Sequence, residues 1–235
     1  LAQRLQTVAL SFSQAIFPEA SGLYGLNKKS SLKELYYRST KYLVAILFPL
    51  SALIIIFAKP LLYFWLGKDF AGNSTFVLQV MGVNLFLLYS TSVASTIVQA
   101  IGRPEIIARV GIFALVLNAI LCLILIPVFK INGAAVAFGL SHLPLSLWVL
   151  EYTHRNILHI SIRDFFNKTV QWLIISFSIL LLYLVLVKIF VFNPFSTFSL
   201  CILGVIIYVL LIYFYVFDSR DREIISLHLI PSHLG

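Results

Sequence analysis

Uncharged polar side chains recur along two otherwise apolar stretches of the sequence at the spacing of one helix face. At about 100° per residue, the first set falls within an arc of about 80° and the second within about 100°. The first polar stripe is Gln3, Thr7, Ser11 and Gln14, and the second is Asn84, Thr91, Ser92, Ser95 and Gln99. Because lipid cannot satisfy such side chains, they face a bundle interior or water. The two stripes predict a hydrated substrate cavity whose chemistry is hydrogen bonding.

Each of these residues, taken alone, has a simpler interpretation. Ser and Thr hydroxyls often bond back to their own helix, and Asn and Gln side chains join helices, at about 0.6 kcal/mol per bond. Ser90 and Thr96 fall outside the second arc, so that stripe is less regular than the first. The coherence of two separate stripes favours the cavity over the sum of unrelated packing contacts.

Arg4 and His142 are two ionisable residues within predicted spans that could touch a ligand. Arg4 either extends to the lipid headgroups or faces the cavity and offers a forked set of donors to a phosphate. His142 could titrate, but a single histidine without an acidic partner nearby in sequence is more often a helix-packing residue. We count Arg4 among the candidate cavity residues and His142 as a packing residue.

The elements that must position these residues are helices that cross a membrane. The apolar share of the sequence is 60%, the charged share is 11% and the mean hydropathy is +0.99, far from the usage of soluble domains. About 20 apolar residues are needed to cross about 30 Å of hydrocarbon. The sequence predicts an all-α polytopic membrane protein with about seven transmembrane helices, at about 1–24, 42–58, 76–99, 106–129, 133–150 and two within 171–217.

The basic residues alternate between loops, which predicts the orientation of the chain. Twelve Lys and Arg residues fall in odd-numbered loops and the tail, and four fall in even-numbered loops. Basic residues are retained on the cytoplasmic side. We therefore expect a multi-pass protein of the inner (plasma) membrane, with the cytoplasmic segments 25–41, 100–109, 151–170 and the tail 218–235. The net charge of +8 then favours binding to anionic lipid headgroups, and it does not indicate binding to nucleic acid.

The sequence contains no pattern that indicates an enzyme or a bound cofactor. Nucleotide-binding, metalloprotease, serine-hydrolase and redox motifs are absent from it. Cys122 and Cys201 lie singly within apolar spans, without the spacing of a metal or redox pair. We expect no catalytic residues, no metal ligands and no cofactor.

Four segments, in order, resemble a known family. They are QAIFPEAS at 14–21, LYFWLGKDF at 62–70, QAIGRP at 99–104 and IPVFKINGAAVA at 126–137. Together they resemble the second half of polysaccharide exporters, the lipid-linked oligosaccharide flippases of the multidrug/oligosaccharidyl-lipid/polysaccharide (MOP) superfamily. Lys130 departs from the family, which often has Gly at that position of the turn.

The resemblance implies the C-terminal part of a two-lobe MATE/MOP-type transporter fold. Residues 1–150 would form most of the second lobe and 151–170 a basic cytoplasmic connector. Residues 171–217 would form two peripheral helices, which agrees with their almost wholly apolar composition. Since Leu1 lies within a helical pattern and is not Met, we expect a fragment whose missing N-terminal lobe is its partner.

The function that the resemblance implies is flipping of undecaprenyl-diphosphate-linked oligosaccharide by alternating access, for O-antigen, capsule or similar glycan synthesis. The expected partners are the lipid bilayer, that substrate and other glycan-assembly membrane proteins. One alternative is a multidrug antiporter of the same superfamily, which would need an acidic residue deep in a span. Another is a membrane-embedded glycan polymerase or ligase, which would need a long extramembrane loop with acidic or Arg clusters. The sequence shows neither feature.

Overall fold

The computed structural model of the protein describes residues 2–190 and 194–216, and every regular element within them is helical. The chain divides into two compact units, Leu1–Thr169 and Val170–Gly235. The first unit contains α1 (Ala2–Gly25), α2 (Lys29–Ile56), α3 (Ala58–Leu66), α4 (Lys68–Ser90), α5 (Ser92–Ala100), α6 (Pro104–Tyr152) and α7 (Ile162–Phe165), and the second contains α8 (Gln171–Phe190) and α9 (Pro194–Leu211). The predicted tail 218–235 lies outside the described residues.

Several of these helices are suited to a membrane. Within the described residues, the segments Lys29–Ile56, Lys68–Ala100 and Pro104–Leu158 are each long and apolar enough to span a bilayer. Helix α1 has 24 residues, which is sufficient length, but its polar stripe keeps it out of that apolar group. The predicted all-α, polytopic fold class is confirmed.

Helix α6 is two antiparallel limbs rather than one rod. Lys130 has φ 52° and ψ −130°, which no helical residue adopts. The Asn118 amide donates to the Ser141 hydroxyl at 3.2 Å, although these residues would lie about 34 Å apart in a straight helix. A Cβ atom built on Gly133 would overlap the Leu125 carbonyl oxygen. The chain therefore folds back at Lys130, and only glycine fits at the closest approach of the two limbs.

Small residues also let α4 approach its neighbours closely. The Asn84 amide donates to the Ala135 carbonyl at 3.1 Å, and a Cβ on Gly139 would overlap the Asn84 side chain. On another face of α4, Gln79 donates to the Ile55 carbonyl of α2 at 3.0 Å. These contacts hold α4 between α2 and the second limb of α6.

Three of the loops that the charge pattern assigns to one side share one end of the first unit. Lys33 donates to the His159 carbonyl at 3.3 Å, and Arg103 donates to the Tyr152 hydroxyl at 3.0 Å. The hydroxyl of Tyr152 raises the pKa of the exposed Arg103 guanidinium, because the hydrogen bond favours the charged form. The start of α2, the turn before α6 and the end of α6 are therefore neighbours.

The same end contains a packed group of rings, here named the aromatic cluster: Tyr36, Tyr37, His154 and Phe165. Tyr36 and His154 are buried, and the Tyr36 hydroxyl lies 2.8 Å from His154 Nε2. Phe165 lies against both rings, with centroid distances of 5.7 Å to Tyr36 and 4.6 Å to His154. The aromatic cluster joins α2, the π-helical turn after α6, and α7.

The second unit is a pair of helices held by one tyrosine and one glycine. The Tyr183 hydroxyl of α8 donates to the Leu200 carbonyl of α9 at 3.0 Å. Gly204 leaves room for the same tyrosine ring, because a Cβ there would lie 2.5 Å from a ring carbon. Phe177 stacks on Tyr208 at 6.2 Å between ring centroids.

Candidate functional site

A cavity of about 570 Å³ opens between α1, the junction of α4 with α5, and both limbs of α6. This volume is within the range of small-ligand sites. Its apolar lining is Leu10, Phe17, Leu88, Ile107, Val110, Gly111, Ala114, Leu145 and Val149. Its polar lining is Ser13, Gln14, Tyr89, Thr91, Ser92, Ser95, Thr96, Gln99, His142 and Ser146. None of these described lining residues carries a formal charge when the histidine is neutral.

The first polar stripe contributes one of its predicted members to this lining. Gln14 lines the cavity from α1 together with Ser13. Thr7 and Ser11 are exposed and do not line it. The side chains of Gln3 and Arg4 lie outside the described part of the structure.

The second polar stripe contributes more. Four of its five members line the cavity: Thr91, Ser92, Ser95 and Gln99. Asn84 lies two helical turns before Thr91, and its amide is directed to the second limb of α6, where it bonds to a backbone carbonyl. The second polar stripe therefore divides into a cavity part and a helix-packing part.

A short helix interruption that the sequence analysis did not predict lies between the two parts. The predicted span 76–99 falls within the single candidate span Lys68–Ala100, and the helix is interrupted there at one residue, Thr91, with φ −95° and ψ 0°. The Ser90 and Thr91 hydroxyls bond to the carbonyls of Leu87 and Leu88 at 3.0 and 2.8 Å. Hydroxyls that satisfy backbone groups in this way compete with the helical pattern and bend helices. The backbone bonds of the Ser90 and Thr91 hydroxyls thus explain the break locally.

The break leaves one hydroxyl of the lining unused. Thr96 Oγ1 donates to the Ser92 carbonyl at 2.9 Å. Ser92 Oγ itself is enclosed and has no hydrogen-bond partner among the described residues. A buried hydroxyl costs free energy unless it is bonded. Ser92 is therefore a lining residue whose hydroxyl is enclosed and unsatisfied.

The second limb of α6 supplies two lining residues that the sequence analysis did not select, His142 and Ser146. Ser146 Oγ donates to the His142 carbonyl at 3.0 Å, and His142 stacks on Phe138 at 4.4 Å between ring centroids. His142, Ser146 and Val149 recur at the spacing of one helix face. That spacing was the available signal, but three residues were too few to mark a stripe.

The cavity ends beside the turn that joins α5 to α6. Gln99 and Ile107 line it on either side of this turn, where Gly102 has φ +81° and the Arg103 amide bonds to the Val98 carbonyl at 3.2 Å. Glycine adopts this left-handed conformation without steric cost. The exposed Arg103 is therefore held within a few residues of the cavity end.

The described residues contain no group of three or more His, Cys, Asp or Glu side chains placed to hold a metal ion. The arrangement that is present consists of hydroxyls, amides and one imidazole above apolar walls. Such a lining can exchange hydrogen bonds with an uncharged polar ligand, because each of these groups donates, accepts or does both.

Comparison with known proteins gives a consistent result. A model of the MatE family matches residues 1–124. A probable low-salt glycan biosynthesis flippase of Haloferax volcanii is 29% identical over 144 residues, which is 60% of this chain and 30% of that protein. An uncharacterized membrane protein of Methanocaldococcus jannaschii is 23% identical over 171 residues, which is 73% of this chain and 32% of that protein. The chain thus spans about a third of the length of these curated relatives.

Proposed function

The chain belongs to the MatE family, and from that premise we propose that it is part of a flippase that moves a lipid-linked oligosaccharide across the membrane. The lipid carrier implied by the sequence resemblance is undecaprenyl diphosphate. The similarity to a glycan biosynthesis flippase supports this substrate class. The cell-surface polysaccharide that it would serve is O-antigen, capsule or a related glycan.

The observation that carries the proposal is the mixed lining of the cavity. Oligosaccharides present many hydroxyls and small apolar ring faces, and binding sites for such ligands need uncharged donors and acceptors beside apolar surface. The α4–α5 junction supplies hydroxyls and an amide, and α1 and the first limb of α6 supply apolar surface. A lining of this kind shelters the glycan head group while the lipid tail stays in the bilayer.

The basic end of the first unit supports an orientation. By the positive-inside rule we assign the loops 25–41, 100–109 and 151–170 to the cytoplasm and the protein to the inner membrane. Arg103 beside the cavity end is then a cationic group at the cytoplasmic entrance, where a diphosphate first meets the protein. The rest of the protein closes the cavity as the opposing lobe, and rocking of the lobes exposes it alternately.

The first test follows the substrate in cells. Depleting the full-length protein should cause the lipid-linked oligosaccharide to accumulate on the cytoplasmic leaflet, measured by its protection from an external glycosidase. Accumulation on the outer leaflet would contradict the proposal and favour a polymerase or ligase.

The second test uses purified full-length protein in liposomes with a fluorescent undecaprenyl-diphosphate-linked oligosaccharide. Ser95→Leu should slow its translocation by about tenfold or more, because an apolar branched side chain removes a donor and fills the cavity. Ser178→Leu is the matched control, since Ser178 is an exposed residue of α8 outside the cavity. Equal rates for both variants would contradict the proposal. Transport of an amphipathic cation instead of the oligosaccharide would favour a multidrug antiporter.

A further inference from the structure

His142 lies where the second limb of α6 faces the α4–α5 junction. Its ring is half-buried and lines the cavity between Leu88 of α4 and Leu145 of its own helix. It is the one imidazole among the described lining residues. Its two ring nitrogens are in different surroundings, and this difference determines what the residue can do.

The hydrogen bonds of Nδ1 determine the tautomer. Nδ1 lies 3.0 Å from the Phe138 carbonyl oxygen and 3.0 Å from Ser141 Oγ. A carbonyl oxygen has only lone pairs to offer, so an unprotonated Nδ1 would face it lone pair to lone pair. The Ser141 hydroxyl donates to the same carbonyl at 2.9 Å. We therefore assign the proton of the neutral ring to Nδ1, which leaves Nε2 as an acceptor.

The ring orientation is fixed by further contacts. Phe138 stacks against the imidazole with an interplanar angle of 28°. The Asn118 amide of the first limb donates to Ser141 Oγ at 3.2 Å, so the group that borders Nδ1 is itself held. The contacts of the described residues include no partner for Nε2. An acceptor that is held in place and unpaired loses little conformational entropy when a ligand binds.

We propose that His142 is a glycan-binding residue whose Nε2 accepts a hydrogen bond from a sugar hydroxyl in the cavity. The inference rests on the proposed function and names the part of the substrate, its sugar, that the second limb of α6 binds. His142 binds the uncharged sugar, whereas the diphosphate requires cationic groups elsewhere in the protein.

The experiment compares two probes on detergent-solubilised full-length protein: undecaprenyl-diphosphate-linked oligosaccharide and undecaprenyl diphosphate without sugar. His142→Phe preserves an aromatic ring against Phe138 but removes the acceptor. It should weaken binding of the oligosaccharide probe about five- to tenfold and leave binding of the sugar-free probe unchanged. His142→Gln, which retains an acceptor, should recover part of the loss. Ser178→Phe in α8 is the control.

Two results would overturn the inference while the proposed function stands. One is unchanged affinity of His142→Phe for the oligosaccharide probe when the wild-type protein binds it. The other is an equal loss for both probes, which would indicate a packing role. Failure of the wild-type protein to bind the oligosaccharide probe at all would overturn the proposed function and this inference together.

A measurement on the wild-type protein avoids dependence on a variant that folds poorly. The ¹⁵N spectrum of labelled histidine should show His142 as the Nδ1–H tautomer. Adding the oligosaccharide probe should shift the Nε2 signal, and adding undecaprenyl diphosphate should not. A signal that is insensitive to both probes, or that shows the Nε2–H tautomer, would overturn the inference.

Discussion

Two histidines twelve residues apart in sequence serve opposite purposes in the first unit. His154, in the aromatic cluster, is 1% exposed and its Nε2 is bonded to the Tyr36 hydroxyl, while its Nδ1 is enclosed without a partner. His142, which lines the cavity, has a bonded Nδ1, and the contacts of the described residues include no partner for its Nε2. In the aromatic cluster, the bonded Nε2 of His154 holds helices together, whereas at the cavity the Nε2 of His142 remains available to a ligand.

The comparison indicates how one fold can be rigid at one end and open beside it. The aromatic cluster joins three elements through packed rings and one buried hydrogen bond. The cavity is bordered by a helix break and by hydroxyls bonded mainly to their own helices. Changes in the aromatic cluster should therefore lower stability, and changes at the cavity should alter ligand binding.

The largest effect should come from the hairpin on which both histidines depend. Gly133→Ala places a Cβ against the Leu125 carbonyl oxygen of the opposite limb, and backbone cannot move aside as a side chain can. We expect a loss of about 3 kcal/mol or more in the free energy of unfolding, because the limbs must separate. Chemical denaturation of the full-length protein in mixed micelles measures it.

Gly111→Ala is the matched control for this prediction. Gly111 lies in the same helix, and a Cβ there meets nothing within 4 Å. If both alanine variants unfold at the same denaturant concentration, the close approach at Gly133 has no energetic consequence. The prediction that the regions around both histidines depend on the hairpin would then be wrong.

A smaller effect is expected for Tyr36→Phe in the aromatic cluster. The change removes the hydrogen bond to His154 Nε2. Both nitrogens of the buried His154 ring are then without a hydrogen bond. An unsatisfied buried group costs about 1–3 kcal/mol, and affinity for the oligosaccharide probe should stay unchanged. Tyr37→Phe is the control, because it keeps the ring stacked on Phe165. A loss of affinity without a loss of stability would reverse the comparison.

Cysteine accessibility measures the openness of the two regions directly. In full-length protein lacking its native cysteines, Ser95→Cys should react with a water-soluble maleimide at least about tenfold faster than Thr153→Cys. Ser95 lines the cavity, whereas Thr153 is fully buried beside the aromatic cluster, and a thiol reacts only as an accessible thiolate. Ile97→Cys, also fully buried and on the same helix as Ser95, should be slow. Equally slow reaction of all three thiols would show that the cavity is not water-filled, and equally fast reaction would show that the two regions do not differ in openness.

The smallest effect is expected at the exposed pair Arg103 and Tyr152. Tyr152→Phe removes the 3.0 Å hydrogen bond between the α5–α6 turn and the end of α6. Exposed polar interactions are worth about 1 kcal/mol or less, so unfolding should change by no more than that. Arg103→Gln is the companion variant, and a change in its translocation rate without a change in stability would assign the guanidinium to the substrate. A stability loss as large as that of Tyr36→Phe would contradict this ranking.

Family and fold class were accessible from the sequence, for reasons that particular segments make clear. The apolar runs and the segments 14–21 and 99–104 carry information locally, because hydropathy and short motifs depend on neighbours in sequence. The MatE match over 1–124 and the all-helical structure agree with that interpretation.

The candidate site was only partly accessible. Gln14, Thr91, Ser95 and Gln99 line the cavity, but Asn84 packs against Gly139 instead. Helical periodicity assumes one unbroken helix, whereas two hydroxyls that bond to the backbone, those of Ser90 and Thr91, interrupt it at Thr91. The role of His142 was assigned to packing because no partner lies near it in sequence. Its partners are backbone and side-chain groups of its own turn, and its surroundings come from α4 and α1.

By itself, the sequence indicated that this chain is helical and lies in a membrane, because composition and local order suffice for those conclusions, and its short motifs resemble those of a known transporter family. Only the tertiary structure decided which polar side chains share a cavity. The hairpin at Lys130 and the break at Thr91 determine which helix faces border the cavity. That orientation depends on contacts between residues far apart in the chain. The physical reason is that a donor or acceptor group either bonds within the fold or remains available to a ligand. Only the packed structure shows that His154 is of the first kind and His142 of the second.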